Sequence, residues 1–297
     1  MTTDAERSRA FTAELNAVLR ELNDEQAAAI RDVERLLKNA REIVTAQVAG
    51  TPTEFQTWQL AQIRRALDAS LAAIGEQLGT RAVAGSMRAF ELGAAVLDRP
   101  LTAGGIRLAI ILPELDLRQL AAIRTFQLDR MKDVAREAAQ KAANQIGLSM
   151  IGTQTPGEAA TAVQSALNVS RTRALTITRT EMGRAFSVAG QERFNQAKPY
   201  LPGLKKQWRR SGKIHSRTAH DLADGQIQDT DKPFTVNGVE LMFPRDPQGP
   251  AKETINCGCV SLPVMESWEV SQPGRLPISD EEIRLDPRKR DLAAALQ

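Results

Sequence analysis

The stretch FTVNGVELMF, Phe234–Phe243, predicts a β-hairpin. Its Asn237-Gly238 pair populates the positive φ angles that a type I′ turn requires, and apolar residues suited to strands lie on both sides. Further short extended pieces, separated by Gly, Pro, Asn and Asp, lie at Gln207-Trp208, Gln226-Ile227 and Val260–Leu262. The sequence around the hairpin, from residue 169 to 265, therefore predicts a small α+β module with short antiparallel strands.

The residues before this module, 1–168, predict a long, mainly helical and elongated region. Apolar residues recur at helical spacing, and Gly50-Thr51-Pro52 interrupts the pattern. Thr155-Pro-Gly-Glu158 is typical of a helix start, because an N-cap threonine lies three residues before an acid. The predicted helices cover residues 1–49, 53–97, 114–145, 155–167 and 170–197, the second of them weakened by glycines. The overall fold class is therefore α+β.

The last part of the chain, residues 266–297, is rich in proline and charge and has weak periodicity. We expect an extended C-terminal tail there, which becomes ordered only on a partner. The chain has no stretch of roughly 20 apolar residues, so we expect no membrane contact. Its beginning lacks the apolar region of a secretory signal, and two cysteines cannot form a disulfide framework. These features indicate synthesis in a reducing cytoplasm.

Positive charge is concentrated in one part of the chain. Residues 171–217 contain twelve Lys or Arg and two Asp or Glu, although the whole chain has a net charge of only +3. Such asymmetry indicates either a polyanionic or acidic partner, or a solvated helix face.

The most basic stretch, LKKQWRRSGKIHSR, covers Leu204–Arg217. Basic residues around an aromatic one suit a nucleic-acid backbone with one stacking contact, so the sequence predicts a non-specific DNA interface. Its residues would be Lys205, Lys206, Trp208, Arg209, Arg210, Lys213 and Arg217. The alternative is a basic strand edge that discourages aggregation.

Zinc is the cofactor for which the sequence offers candidate ligands. The side chains with suitable ligand atoms are those of His215, His220, Cys257 and Cys259. A Cys-x-Cys strand points its two thiols to opposite faces, and they could bind one ion only if the backbone turns at Gly258. A disulfide between them would require strained geometry. We therefore favour two small buried thiols and expect no bound metal.

The sequence favours no catalytic or cofactor site. Gly147–Gly152 has the glycine spacing of a phosphate-binding loop but lacks the lysine that must follow. Ser211, Ser216 and Asp221 lie near the two histidines in the sequence, yet nothing resembles a nucleophile elbow. His220 is interpreted as a structural, hydrogen-bonded residue.

Four pieces of the module, in order, resemble a known family. They are ITRTEMGRAFSVAGQERF (Ile177–Phe194), KKQWRRSGKIHSRTAHDLADGQ (Lys205–Gln226), FTVNGVELMFPRDP (Phe234–Pro247) and INCGCVSLPV (Ile255–Val264). Over about Ser170–Val264 they are similar to the C-terminal domain of the phage minor head proteins typified by the F protein of phage Mu.

The resemblance implies a minor structural protein needed for head assembly in a tailed phage. It implies a place in the virion, in the capsid interior near the portal. Expected partners are the portal protein, other copies of this chain, the major capsid or scaffold protein, and non-specific DNA. The helical region 1–168 would serve portal binding or self-association.

The chain departs from that family at one point. Many relatives place a Cys-x-x-Cys before the Asp-Gly loop. The resemblance implies that these two cysteines and the two of Asn-Cys-x-Cys are four metal ligands. Here these positions are Arg217 and His220. Arginine cannot ligate zinc and its charge disfavours a metal, so we expect both residues to hold the loop by hydrogen bonds.

Two other classes of function stay open. Some phage proteins of this kind carry toxin or transferase domains, and ADP-ribosyl transfer is the first such enzyme activity to consider. That chemistry requires a Glu-x-Glu pair, which the chain lacks. The other alternative is a free, non-specific nucleic-acid-binding protein.

Overall fold

The computed structural model describes residues 3–49, 57–106, 112–265 and 274–296. They form two compact units, each built from separate segments of the chain. The first unit draws on Met1–Glu25, Ser86–Leu120 and Met182–Gln297, and the second on Gln26–Gly85 and Ala121–Glu181.

Long helices dominate the described residues before 200, as the apolar periodicity predicted. They are α1 (Asp4–Ala49), α2 (Thr57–Ala103), α3 (Arg118–Met150) and α4 (Pro156–Ala197). No helix in the described part of the chain is both long and apolar enough to cross a membrane.

Helix α4 is continuous where two helices were predicted. Its start is confirmed, because Thr155 and Glu158 form the expected reciprocal cap: the Glu158 carboxylate accepts from the Thr155 N–H at 2.7 Å. The predicted break at residues 168–169 is wrong. That junction contains no Gly or Pro, and the Ser170 hydroxyl donates back to the Ala166 carbonyl at 3.1 Å within an unbroken helix.

Glycines in α2 permit close packing rather than a break. A Cβ added at Gly75 would lie 2.8 Å from the Ala135 Cβ, and one at Gly79 would lie 2.9 Å from the Leu128 Cδ2. Both partners belong to α3, in the same second unit. The core of this unit consists of Leu, Ile, Val and Ala side chains, so the small residues bring the helix backbones near each other.

The predicted antiparallel strands are present in the first unit, and the fold class is α+β. Strand β1 (Leu204–Arg209) lies between β2 (Ile227–Asp229) and β5 (Val260–Met265), and it is antiparallel to both. Strands β3 (Phe234–Val236) and β4 (Val239–Leu241) form the predicted hairpin. Its turn has φ of 54° at Asn237 and 73° at Gly238, as a type I′ turn requires.

Trp208 of β1 is the centre of the module core. Its indole is fully buried and packs edge-on against Phe234, with ring centroids 5.5 Å apart. Cys257 and Cys259 complete the same cluster. Two short helices, α5 (Thr218–Leu222) and α6 (Ala251–Thr254), lie in the connections between strands.

The expectation of an extended C-terminal tail is wrong for the described residues 274–296. They form α7 (Asp280–Leu285) and α8 (Arg288–Leu296). Ser279 and Glu282 make a capping box at the start of α7. The Glu282 carboxylate also accepts from the buried guanidinium of Arg210 at 2.6 Å, so a buried charge pair holds this segment on the module. Residues 266–273 of the predicted tail lie outside the described residues.

Candidate metal centre

The side chains of Cys257 and Cys259 face the same imidazole. The two Sγ atoms lie 3.5 and 3.6 Å from Nδ1 of His220, which is carried by α5. All three residues are buried, with exposed fractions of 4%, 2% and 2%. The sequence predicted that a Cys-x-Cys strand would point the two thiols to opposite faces. This does not happen, because β5 begins only at Val260 and φ of Asn256 is +55°.

Gly258 permits a close approach between the segment that carries the two cysteines and the connection after β1. A Cβ at this position would lie 2.7 Å from the Ser211 Cβ and 2.9 Å from the Lys213 Cε. The segment between the cysteines therefore passes directly against the connection that follows β1, and any side chain there would displace one of them.

His220 is held in a fixed orientation by a chain of hydrogen bonds. Its Nε2 lies 3.0 Å from Glu253 Oε2, and the other oxygen of Glu253 accepts from the Asn237 side chain at 2.7 Å. The ring also packs edge-on against Trp208, with centroids 5.6 Å apart. With Nε2–H donating to the carboxylate, Nδ1 presents its lone pair toward the two sulfurs.

The two thiols differ in how easily they ionise. The hydrogen bond with Cys259, together with the nearby His220 and Arg245, holds the pKa of Cys257 well below its ordinary value despite burial. Burial raises the pKa of Cys259, and the hydrogen bond and charge of Cys257 raise it further. The protein groups around the pair therefore favour the thiolate of Cys257 and the neutral thiol of Cys259.

The pKa of His220 is also displaced. Burial lowers it, but the hydrogen bond and charge of Cys257 and the hydrogen bond with Glu253 outweigh this effect, so the pKa is raised. A thiolate in contact with an imidazole occurs in two kinds of site. The two groups are either ligands of one metal ion or a thiolate–imidazolium pair.

A cavity of about 210 Å³ lies over these three residues. The charged or titratable side chains that also line it are Lys213, His215 and Arg217. The space is large enough for a few water molecules or a small ligand.

The predicted set of four zinc ligands is brought together in part. His220, Cys257 and Cys259 offer ligand atoms that all lie within 4.8 Å of one another. His215 lines the cavity, but its side chain is 73% exposed and its Nδ1 lies 3.4 Å from Asp286. The sequence could not show this difference, because Asp286 is remote along the chain.

The loop contacts expected of Arg217 and His220 are confirmed. Arg217 donates from Nη2 to the Ile255 carbonyl at 2.8 Å, and His220 binds Glu253. Each contact fixes α5 to α6 or to the residue that follows it. Glu253 was missed by sequence reasoning, since a single acid in AKET gives no signal of its own.

Three residues of the basic stretch cannot belong to the predicted DNA interface. Lys206, Trp208 and Arg210 are buried, with exposed fractions of 0%, 0% and 2%, so their part in a DNA surface is wrong. Lys206 donates to Gln191 and to the Met242 carbonyl at 2.8 and 2.6 Å, and burial lowers its pKa to about 8. The alternative of a basic strand edge is also wrong, since β1 has a neighbour on each side.

The remaining basic residues are dispersed. Lys205 lies 3.9 Å from Asp229 across the sheet, and Arg209 donates to the Gly274 carbonyl at 3.0 Å. Lys213 and Arg217 line the cavity over the cysteines. Whether these four contact DNA stays a prediction.

Comparison with known proteins identifies a family model that matches part of the chain. Residues 117–262 match the family model described as Phage Mu protein F like protein. No solved structure shows a significant match to the chain.

Two curated proteins are similar to part of the chain. One is NAD(+)--arginine ADP-ribosyltransferase EFV of Enterococcus faecalis, 33% identical over 130 residues, which are 44% of this chain and 26% of that protein. The other is YqbB of Bacillus subtilis, 38% identical over 119 residues, which are 38% of this chain and 37% of that protein. The chain thus spans about a quarter and somewhat over a third of their lengths. The match confirms the phage Mu protein F-like resemblance that the four motifs indicated over about Ser170–Val264, and it begins earlier in the chain, at residue 117.

Proposed function

We propose that this protein is a minor structural protein of a tailed bacteriophage, needed for head morphogenesis and associated with the portal vertex. The observation that carries the proposal is the match of residues 117–262 to the phage Mu protein F-like family. Its place would be in the virion, inside the capsid near the portal.

The proposed partners are the portal protein, further copies of this chain, and the major capsid or scaffold protein. The helices of residues 1–168 would supply the docking surface. In the second unit, the exposed apolar side chains of Leu148 and Ile151 support this role, because a docked protein surface would cover them. Non-specific DNA is a further proposed partner, for which the local excess of basic residues remains the support.

Mass spectrometry of purified particles tests the proposal. The chain should be present at a fixed copy number relative to the portal protein, in particles of the phage or prophage that encodes it. Absence from particles that contain portal protein would overturn the proposal. A free nucleic-acid-binding protein predicts that absence, together with salt-dependent DNA binding by the purified chain.

An enzymatic function is the second candidate, because one relative is named an NAD(+)--arginine ADP-ribosyltransferase. The similar segment covers only 26% of that protein, and this chain has no Glu-x-Glu pair. We therefore propose a non-enzymatic role. Incubation of the purified chain with labelled NAD⁺ and an arginine-containing acceptor should give no labelled acceptor, and transfer of the label would establish the enzyme instead.

A further inference from the structure

We infer that the module binds one zinc ion through Nδ1 of His220 and the Sγ atoms of Cys257 and Cys259, with the fourth coordination position open to the cavity above them. This inference does not depend on the proposed role in the phage head. It replaces our expectation from the sequence, which was that no metal is bound.

The spacing of the three atoms fits a zinc ion. Zinc bonds of about 2.3 Å to sulfur and about 2.0–2.1 Å to nitrogen, at a tetrahedral angle, place the sulfur and the nitrogen about 3.6 Å apart. The two Sγ–Nδ1 distances in the protein are 3.5 and 3.6 Å. Both sulfurs therefore lie at the distance from the ring nitrogen that ligands of one zinc ion have.

Hydrogen bonding accounts for only one of these two contacts. An imidazole nitrogen carries one in-plane proton or one lone pair, so Nδ1 can form one good hydrogen bond. Here two sulfurs lie at nearly equal distances from it. A central cation that each of the three atoms binds explains the equal distances without a second proton.

The surroundings hold the ligands as metal sites usually do. Glu253 fixes the ring of His220 through Nε2, and Asn237 fixes Glu253 in turn. On the other side, Arg245 donates to the carbonyl of Cys257 at 2.5 Å. The ligand backbone and the ring orientation are thus fixed by groups that are not ligands themselves.

The charge balance also favours the ion. Two thiolates and a neutral imidazole around Zn²⁺ form a group with no net charge, which can be buried without an unpaired ion. The same two cysteines as thiolates without a metal would leave a negative charge in a site that is less than 5% exposed.

The fourth position has no protein ligand among the described residues, because only these three offer suitably spaced atoms. Arg217 precedes His220 by three residues, but its guanidinium binds the Ile255 carbonyl and cannot ligate a metal. The cavity of about 210 Å³, with Lys213 and Arg217 in its wall, offers room for water or a small anion on the ion. Three protein ligands and an exchangeable fourth make an open site, not a closed structural one.

Metal analysis of the full chain, produced with zinc in the medium, is the direct test. We expect one zinc per chain, and cobalt substitution should give the thiolate-to-cobalt absorption of a Cys₂His site. Both measurements use the unaltered protein, so they do not depend on whether a variant folds. A zinc content far below one per chain, together with no thiolate absorption after cobalt addition, would overturn the inference.

Variants then assign the ligands. Cys257→Ser, Cys259→Ser and His220→Gln should each lose most of the zinc, whereas the matched control His215→Gln should keep it. Glu253→Gln should keep zinc but bind it about 10–100-fold more weakly, because the carboxylate that orients the His220 ring is lost. Equal zinc loss in His215→Gln and His220→Gln would contradict the assignment.

Arg217→Cys tests the open position. A cysteine there would supply a third thiolate, and so a fourth ligand, three residues before His220. This variant should release zinc to a competing chelator more slowly than the unaltered chain does. Release at the same or a faster rate would show that the fourth position does not lie on the Arg217 side of the ion.

Discussion

Arg210 and Glu282 form a buried, two-point ion pair that joins the residue after the central strand of the sheet to the C-terminal segment. The guanidinium donates from Nη1 and Nη2 to the two carboxylate oxygens at 2.6 and 3.1 Å. Lys289 donates to the same carboxylate at 3.1 Å and to Asp221 at 2.7 Å. Arg210, which belongs to the most basic stretch of the sequence, thus stabilises the protein through a buried ion pair.

Removal of the carboxylate at position 282 should destabilise the first unit strongly. Glu282→Gln leaves the guanidinium of Arg210 buried without its full counter-charge, which should lower the free energy of unfolding by about 3–5 kcal/mol. The control is Glu281→Gln, since that neighbouring side chain is 68% exposed. Denaturant unfolding measures both, and equal midpoints for the two variants would contradict the role of the pair.

Stability should also fall in acid because of the same residue. The ion pair with Arg210 lowers the pKa of Glu282 to about 2, below its ordinary value of 4.5. The stabilisation is therefore complete above about pH 4.5 and is lost as the pH falls toward about 2. In that window the melting temperature should decline more for the unaltered chain than for Glu282→Gln, and parallel declines would count against this assignment.

Substitution of the two neighbouring lysines on β1 should change stability to very different extents. Lys206→Ala removes a buried ammonium group and leaves the Gln191 and Met242 oxygens without their donor, at a cost of about 1–3 kcal/mol or more. Lys205→Ala, at the partly exposed position before it, should change stability by only about 0.5 kcal/mol. Thermal melts of the two variants decide this, and a similar effect of both would mean that Lys206 is not the buried donor.

Gly258 should tolerate no side chain. Gly258→Ala places a methyl group 2.7 Å from the Ser211 Cβ, and the resulting overpacking should cost about 1–3 kcal/mol. It should also weaken zinc binding, because the cysteines flank this residue. Gly157→Ala is the control: that helical glycine has open space around it, so alanine should be neutral or stabilising by up to about 1 kcal/mol. Unchanged stability and zinc content in Gly258→Ala would contradict the packing argument.

The sequence predicted the features that depend on local chemistry. Apolar periodicity indicated the long helices, Asn237-Gly238 indicated the hairpin, and Thr155 with Glu158 indicated the start of α4. Each of these follows from neighbouring residues alone, since helix periodicity, turn conformation and capping are local properties.

The predictions that failed concern residues whose partners are remote along the chain. Lys206 and Arg210 were interpreted as surface residues because charge usually lies outside, but Gln191 and Glu282 satisfy them inside. The sequence named His220 and the two cysteines as candidate ligands but could not show that they converge, because 37 residues separate His220 from Cys257. The capping box of Ser279 and Glu282 was the one local signal for α7, and the proline-rich composition around it obscured it.

Because each unit is built from separate segments of the chain, the two units have all their residues at different stages of synthesis. The first unit combines residues up to 25 with residues beyond 182, so its earliest segment must wait until almost the whole chain has left the ribosome. The second unit, complete at residue 181, has all its parts sooner. Nascent chains should therefore gain protease resistance in two steps, with the cysteines and their histidine protected only in the second.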